Sequence, residues 1–173
     1  DWARERKLIE DRNTNAVHEI VMFHRSSEEQ QSELTEGLIS NIIAMDEHER
    51  FITPPTSHAL QGSMRTIILA CLRNQLEPCL EEPILLSNLS KLKGLFLVSS
   101  TKDLVPVRGV FSQSGKLIKE FSESFYTSNK KLMLLRSDLR LVLDPNIPRE
   151  VNPLRSIIAY ELWSKLSAHI TCN

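Results

Sequence analysis

Residue types that carry out chemistry occur in this chain, but few stand at a spacing that catalysis requires. The segment 109–116, GVFSQSGK, comes nearest to a phosphate-binding loop. Such a loop has four residues between its glycines. The serine or threonine that follows its lysine binds magnesium through its hydroxyl. Here five residues separate Gly109 from Gly115, and Leu117 follows Lys116. We therefore predict a turn or a helix interior at this segment rather than a nucleotide site.

The sequence gives no better support for a metal site or for acid–base catalysis than for a nucleotide site. The densest group of possible ligands is the run DEHE at 46–49. Four successive side chains fan out around a helix end instead of converging, so we interpret this run as a hydrated charged turn. His18 and His24 are six residues apart, unlike the i, i+4 histidines of a zinc-protease helix. No G-x-S-x-G motif is present. We expect no catalytic residue, no metal and no other cofactor.

The cysteines indicate a reducing compartment. Cys71, Cys79 and Cys172 form an odd set without the spacing of a zinc motif or of a disulfide framework. The chain has no signal peptide and no run of about 18 apolar residues. These features predict an intracellular protein, nuclear or cytoplasmic, that is not in a membrane.

A division of charge along the chain supplies candidate binding residues. Residues 1–90 carry 8 Lys/Arg against 15 Asp/Glu, whereas residues 91–173 carry 13 against 7. Such a division is typical of two differently solvated faces, but it also provides acidic and basic patches for different partners. The candidate binding residues are four basic side chains and one possible aromatic anchor: Lys130, Lys131, Arg136, Arg140 and Trp2.

The partner that this charge pattern favours is a protein that presents an acidic or amphipathic peptide. Nucleic acid is the alternative, through the basic C-terminal half. It is the weaker hypothesis because aromatic content is only 6% and the pI is about 6.6, unlike a typical nucleic-acid binder. The sequence leaves self-association open.

Apolar residues recur at helical spacing through most of the chain. Between residues 57 and 77 they advance in steps of three and four along one stripe: Leu60, Met64, Ile67, Ile68, Cys71, Leu72 and Leu76. Prolines at 54, 55 and 78 bound this stripe, which predicts a core helix. Similar stripes predict further helices over 26–45, 83–96, 129–143 and 152–170. Residues 2–25, polar at first and apolar from Ala16 onward, are predicted to form another helix.

The segment 104–126 is the ambiguous one. Its apolar residues fit a helical stripe that begins at Pro106 and continues to Phe125. A β-hairpin that turns at Ser114-Gly115 is the alternative. We favour the helix because the stripe continues without a break.

Taken together, these patterns predict an all-α fold of about seven antiparallel helices. The arrangement would be a HEAT- or armadillo-like stack or a compact helical bundle, in a single domain over 1–173 that is part of a longer protein. The function expected of such a domain is non-enzymatic: it would bind a partner peptide or helix in a groove between helices, as a scaffold for complex assembly. The alternatives are a nucleic-acid-binding helical domain and a purely architectural, self-associating domain.

Overall fold

A computed structural model of the protein describes residues 19–25, 31–101 and 103–146. Within these ranges lie ten strands, three α-helices and one 3₁₀ segment, Leu86–Lys91. The strands are β1 (Val21–Arg25), β2 (Ser32–Gly37), β3 (Asn41–Met45), β4 (Phe51–Thr53), β5 (Leu80–Glu81), β6 (Ile84–Leu85), β7 (Gly94–Ser99), β8 (Asp103–Pro106), β9 (Gly109–Phe111) and β10 (Leu117–Glu120). The helices are α1 (Ser63–Asn74), α2 (Glu123–Ser128) and α3 (Lys130–Leu143). The first eight strands form one sheet.

Strands β3 and β7 form the centre of the sheet. They pair antiparallel, from Asn41 opposite Val98 to Met45 opposite Gly94. Every residue of β3 is buried, and so are the first five residues of β7. Strands buried on both faces read as nearly continuous apolar runs, and NIIAM and GLFLV have that composition. The hydrophobic core therefore contacts both faces of these two strands.

The other strands are arranged around this pair. Strand β2 pairs antiparallel with β1 and β6, and β8 pairs antiparallel with β7. The start of β3 has a neighbour on each side, because Asn41 lies opposite Glu36 of β2 and opposite Val98 of β7. This register brings the β2–β3 turn beside the C-terminal end of β7.

Helix α1 joins β4 to β5, which pair in parallel. A parallel pair needs a crossover connection, and a helix is the usual one. Eight of the twelve residues of α1 are buried. The sequence predicts a core helix over 57–77; the structure has a shorter one, Ser63–Asn74, with Leu60 and Leu76 outside it and exposed.

Residues 104–126 form strands and the start of α2 rather than one long helix. Strands β9 and β10 pair antiparallel as a hairpin. Gly115 lies in the turn at φ 82°, a conformation that glycine adopts without steric cost. The helix predicted for this segment is wrong, and the alternative hairpin at Ser114-Gly115 is present. The same hairpin contains the segment 109–116 that resembles a phosphate loop.

Helix α3 lies where the sequence predicts it. The side chain of Asn129 accepts a hydrogen bond from the Leu132 N–H (3.1 Å) and so caps its N-terminus. The residues Asp144-Pro145 follow its last turn. No helix in the described ranges is long and apolar enough to cross a bilayer. The last predicted helix, 152–170, lies outside the described residues.

The all-α prediction is wrong, as a helical-repeat stack and as a bundle. The described end of the predicted helix 2–25 is strand β1. The predicted helix 26–45 contains β2 and β3, and the predicted helix 83–96 contains β6, the 3₁₀ segment and part of β7. A strand that is buried on both faces shows no alternation, so a short apolar run fits a helical stripe equally well. Pairing with distant strands then decides the conformation.

The acidic run at 46–49 lies in the turn between β3 and β4. Asp46 Oδ1 accepts hydrogen bonds from the N–H groups of His48 (2.9 Å) and Arg50 (2.8 Å), and Arg50 Nε donates to Asp46 Oδ2 (2.7 Å). Burial acts to raise the pKa of Asp46, but these hydrogen bonds and the Arg50 charge outweigh it and lower the pKa. In the part of the chain that the structure describes, no group of His, Cys, Asp and Glu is arranged to hold a metal ion.

Two adjacent leucines of α3 provide a test of this packing. Leu135 is fully buried, whereas Leu134 is 52% exposed. We expect Leu135→Ala to lower the free energy of unfolding by about 2–5 kcal/mol, because it leaves a cavity in the core. Leu134→Ala, the matched control, should change it by less than about 0.5 kcal/mol. Urea denaturation followed by circular dichroism measures both, and equal effects would contradict the described packing of α3.

Candidate functional site

A cavity of about 260 Å³ opens where the β2–β3 turn, the start of α1 and the end of β7 meet. These three segments come together because Asn41 pairs with both β2 and β7. The residues that line the cavity are Glu36, Gly37, Leu38, Ile39, Ser40, Asn41, Leu60, Gly62, Ser63, Met64, Val98, Ser99 and Ser100.

Leu60 fastens the connection before α1 to the β2–β3 turn. Its backbone N–H donates to Glu36 Oε2 (3.0 Å), and its carbonyl oxygen accepts from Asn41 Nδ2 (2.7 Å). The Leu60 side chain stays 73% exposed at the cavity. These two hydrogen bonds hold the Glu36 carboxylate and the start of α1 in one fixed arrangement.

The N-terminus of α1 is one wall of the cavity and carries no side-chain cap. Its N-cap is Gly62, and its first turn contains no acidic residue. The first N–H groups of a helix have no partner within the helix and carry a partial positive charge. Such an end is suited to bind an anion, above all a phosphate.

Four serines are among the residues that line the cavity. Ser63, Ser99 and Ser100 line the cavity together with Ser40. Ser40 is 8% exposed, and its Oγ has no hydrogen-bond partner among the described residues. A buried hydroxyl without a partner is rare, because leaving it unsatisfied costs about 1–3 kcal/mol. The Ser40 hydroxyl lies over Gly37 beside the Glu19 side chain, whose Oε2 atom likewise has no partner among the described residues.

Apolar side chains form the rest of the cavity wall. The apolar residues that line it are Leu38, Ile39, Leu60, Met64 and Val98. Together with the uncapped helix end and the Glu36 carboxylate, they can receive a molecule with three features: an anionic group, a flat apolar body and a nitrogen that can be protonated. None of the lysines in the described ranges lines the cavity.

The described cysteines do not act as nucleophiles near this site. Burial raises the pKa of Cys71 to about 12, and the Asp138 charge adds to the rise. Burial likewise raises the pKa of Cys79 to about 12, although the Arg65 charge opposes it. Since the thiolate is the reactive form, both thiols are inert at neutral pH.

The basic residues predicted to bind a partner lie on α3, away from the cavity lining. Lys131 Nζ donates to Glu77 Oε2 (2.7 Å), and Arg136 Nη1 donates to the Tyr126 carbonyl oxygen (3.2 Å). These two side chains are thus engaged within the chain. Lys130 and Arg140 are exposed on the same helix. Trp2 lies outside the described residues. A binding role for the five residues stays a prediction, as does an acidic or amphipathic peptide partner.

Comparison with protein families decides which kind of protein has this site. Residues 12–110, more than half of the chain, match the model of the class IV amino-transferase family. The chain belongs to the class IV aminotransferase family. All of the residues that line the cavity lie within the matched range.

Solved structures have a similar fold. A branched-chain amino acid aminotransferase from Escherichia coli matches with TM-score 0.56 and 15% identity, over 78% of this chain and 41% of that one. A putative 4-amino-4-deoxychorismate lyase from Legionella pneumophila matches with TM-score 0.57 and 14% identity, over 79% and 45%. A putative branched-chain amino acid aminotransferase from Thermotoga maritima matches with TM-score 0.52 and 19% identity, over 77% and 46%. The chain thus spans less than half the length of each.

Family membership corrects the function predicted from the sequence. The prediction of a non-enzymatic interaction module, or of a nucleic-acid-binding or architectural helical domain, is wrong, because the class IV aminotransferases are enzymes with this β-rich fold. Its premise was the absence of catalytic motifs. The cavity residues carry no motif of that kind, since Glu36, Asn41 and Gly62 lie in separate elements. The one local signal is Gly62, the glycine directly before the first residue of α1.

Gly62 offers a test of how tightly the cavity is built. A Cβ atom at this position would overlap Asn41 Oδ1. The backbone at Gly62 has φ −65°, so alanine is disfavoured by this contact alone and not by conformation. We expect Gly62→Ala to lower the free energy of unfolding by about 1–3 kcal/mol, measured by urea denaturation.

A double-mutant cycle isolates the contact between Gly62 and Asn41. In an Asn41→Ala background the overlapping atom is absent, so Gly62→Ala should cost markedly less than it does alone. Additive effects of the two substitutions would show that the overlap does not limit this position.

Thiol labelling tests the described cysteines. In a Cys172→Ser background, neither Cys71 nor Cys79 should react with a thiolate-selective reagent at pH 7 on the native protein, and both should react after unfolding. Their pKa values of about 12 leave almost no thiolate at that pH. Rapid labelling of either thiol in the native state would contradict the environment described for it.

Proposed function

We propose that this chain forms a pyridoxal 5′-phosphate site of an enzyme that transfers amino groups. The observation that carries the proposal is that one cavity is lined by the uncapped N-terminus of α1, by Glu36 and by apolar side chains. A cavity built in this way matches a phosphate ester on an apolar ring. Membership of the class IV aminotransferase family supports the same cofactor.

Each part of the cofactor finds a counterpart among the lining residues. The N-terminus of α1 at Gly62–Met64 would hold the phosphate, with the hydroxyls of Ser63, Ser99 and Ser100 as further donors. The Glu36 carboxylate would pair with the pyridine nitrogen, since pyridoxal phosphate enzymes place an acidic or basic partner there. The exposed side chain of Leu60 would cover a face of the ring.

The chemistry follows from this placement. Pyridoxal phosphate, when bound, supplies an electron sink that stabilises a carbanion at the substrate's α-carbon. A carboxylate at Glu36 favours protonation of the pyridine nitrogen, which strengthens that sink. The Leu60 side chain, positioned by backbone hydrogen bonds to Glu36 and Asn41, would shield one face of the ring from water.

Amino-group transfer is the reaction class that we propose, because it is the class that names the matched family. The similarity to a putative 4-amino-4-deoxychorismate lyase makes a lyase reaction at the same kind of site the alternative. An assay of the full-length protein with amino acids and 2-oxo acids distinguishes them. Exchange of an amino group between two carbon skeletons supports transfer, and release of pyruvate from aminodeoxychorismate without exchange supports the lyase reaction.

Cofactor binding tests the proposal directly. Titration of the purified protein with pyridoxal phosphate should induce circular dichroism in the cofactor's absorption band. Glu36→Gln should weaken binding by about tenfold or more, because it removes the charge that pairs with the pyridine nitrogen. Glutamine keeps an oxygen for the Leu60 N–H, so the connection before α1 should remain in place.

Glu33→Gln is the matched control. Glu33 lies on the same strand, pairs with His58 (2.9 Å) and does not line the cavity. This substitution should leave the affinity for pyridoxal phosphate unchanged. Absence of an induced signal in the wild-type protein, or equal effects of the two substitutions, would overturn the cofactor site.

A further inference from the structure

Arg65 is a buried cation in the first turn of α1. Its side chain is 1% exposed, and it is the largest fully buried side chain in the described ranges. The guanidinium donates from Nε to Thr53 Oγ1 (3.2 Å) and from Nη2 to the Pro54 carbonyl oxygen (3.0 Å). It also forms an ion pair with Glu81 Oε2 (2.8 Å). These contacts fix the guanidinium beside the end of β4 and the parallel strand β5.

The position of this charge is unfavourable for the isolated helix. A helix N-terminus carries a partial positive charge, so acidic residues are preferred in the first turn and cations are disfavoured. Helix α1 has the opposite arrangement, with no acidic residue and no side-chain cap there. Burial adds to the cost, because a guanidinium loses its hydration. The contacts with Thr53, Pro54 and Glu81 offset only part of this cost in free energy, because the Nη1 atom of Arg65 has no partner among the described residues.

The positive charge of Arg65 is also incompletely neutralised. Glu81 is its one ion-pair partner in the described ranges, and 46% of the Glu81 side chain is exposed to solvent, which screens its charge. The field of Arg65 extends beyond its direct partners: burial raises the pKa of Cys79, and the Arg65 charge acts against that rise. An anion at the N-terminus of α1 would be the missing counter-charge.

We infer that Arg65 is a positioning residue for the cofactor phosphate, which it attracts through the buried base of α1 without touching it, and that Glu81 sets the strength of that attraction. This inference rests on the proposed cofactor site. Arg65 is not among the residues that line the cavity, so its effect is exerted through the low-dielectric core and not by a hydrogen bond to the phosphate. The cost of burying it is offset when the phosphate is bound.

A purely structural role of Arg65 predicts a different pattern of mutational effects. If the Arg65–Glu81 pair only anchors α1, loss of either partner should weaken phosphate binding. If Arg65 acts by its charge, loss of the two partners should have opposite effects, because removal of Glu81 leaves the Arg65 charge less neutralised. The sign of the Glu81 effect therefore separates the two roles.

The test compares pyridoxal 5′-phosphate with pyridoxal, which lacks the phosphate. The ratio of their dissociation constants isolates the contribution of the phosphate. Arg65→Met should reduce the preference for pyridoxal phosphate by about tenfold, the size expected for one charge acting across a protein interior. Glu81→Gln should increase the preference several-fold. Arg65→Lys, which keeps the charge, should retain most of it.

Glu82→Gln is the matched control for Glu81→Gln. It removes the same charge one residue along the chain, at an exposed side chain that is not bonded to Arg65. Its effect on the preference should be small. Urea denaturation of each variant checks that the fold persists, and Glu81→Gln carries the test by itself if Arg65→Met does not fold.

The outcomes distinguish failure of this inference from failure of the proposed function. If the wild-type protein binds neither compound, the proposed function fails. If it prefers pyridoxal phosphate but Glu81→Gln leaves that preference unchanged or lowers it, Arg65 is an anchor only and the inference is wrong.

Discussion

The register of β3 against β7 is the constraint on which the rest of the structure depends. Asn41 lies opposite Val98 in this pairing and is also the residue that meets β2. Both strands are buried on both faces, so a slip by one residue would turn every side chain to the other side of the sheet. The same register brings the β2–β3 turn and the end of β7 together, which makes the cavity. The hydrophobic core and the candidate site are thus two consequences of one pairing.

Helices α2 and α3, in the C-terminal part of the described chain, stabilise this arrangement through hydrogen bonds to β7 and α1. The Tyr126 hydroxyl donates to the Val107 carbonyl oxygen (2.7 Å) and accepts from the Leu95 N–H (3.1 Å), so it ties α2 to β7 and to the residues after β8. Its burial raises the pKa of Tyr126 to about 12. Helix α3 is bonded to the C-terminal end of α1, where Gln75 Nε2 donates to Asp138 Oδ2 (2.8 Å). Helix α1 is therefore fastened at both ends, by Arg65 near the cavity and by α3 at the other end.

The two ends of α1 differ in how their polar groups are satisfied. At the C-terminus, Arg73 lies in the last turn and the Gln75 N–H bonds back to the helix, as is usual for a helix in a protein core. At the N-terminus there is no cap, no acid and a buried cation, although caps and acids are the usual stabilisers of that end. Local stability does not explain this asymmetry, whereas an anion bound at Gly62–Met64 does. Rules of helix formation are most often broken at functional sites, where binding offsets the cost.

The sequence by itself determined two helices whose signals are local: α1, although its apolar stripe extends beyond both ends of the helix, and α3, which stops at Asp144-Pro145. It also indicated a charged turn at 46–49, but at a helix end, whereas the structure places this turn between β3 and β4 with Asp46 buried. It did not determine β3 or β7, because NIIAM and GLFLV are apolar on both faces and show no alternation that would distinguish a strand from a buried helix. Only the tertiary structure decided the sheet and the site. The neighbours of Glu36, Asn41, Gly62 and Ser99 are set by pairing between segments about 60 residues apart at most, and such contacts leave no pattern within a short stretch of sequence.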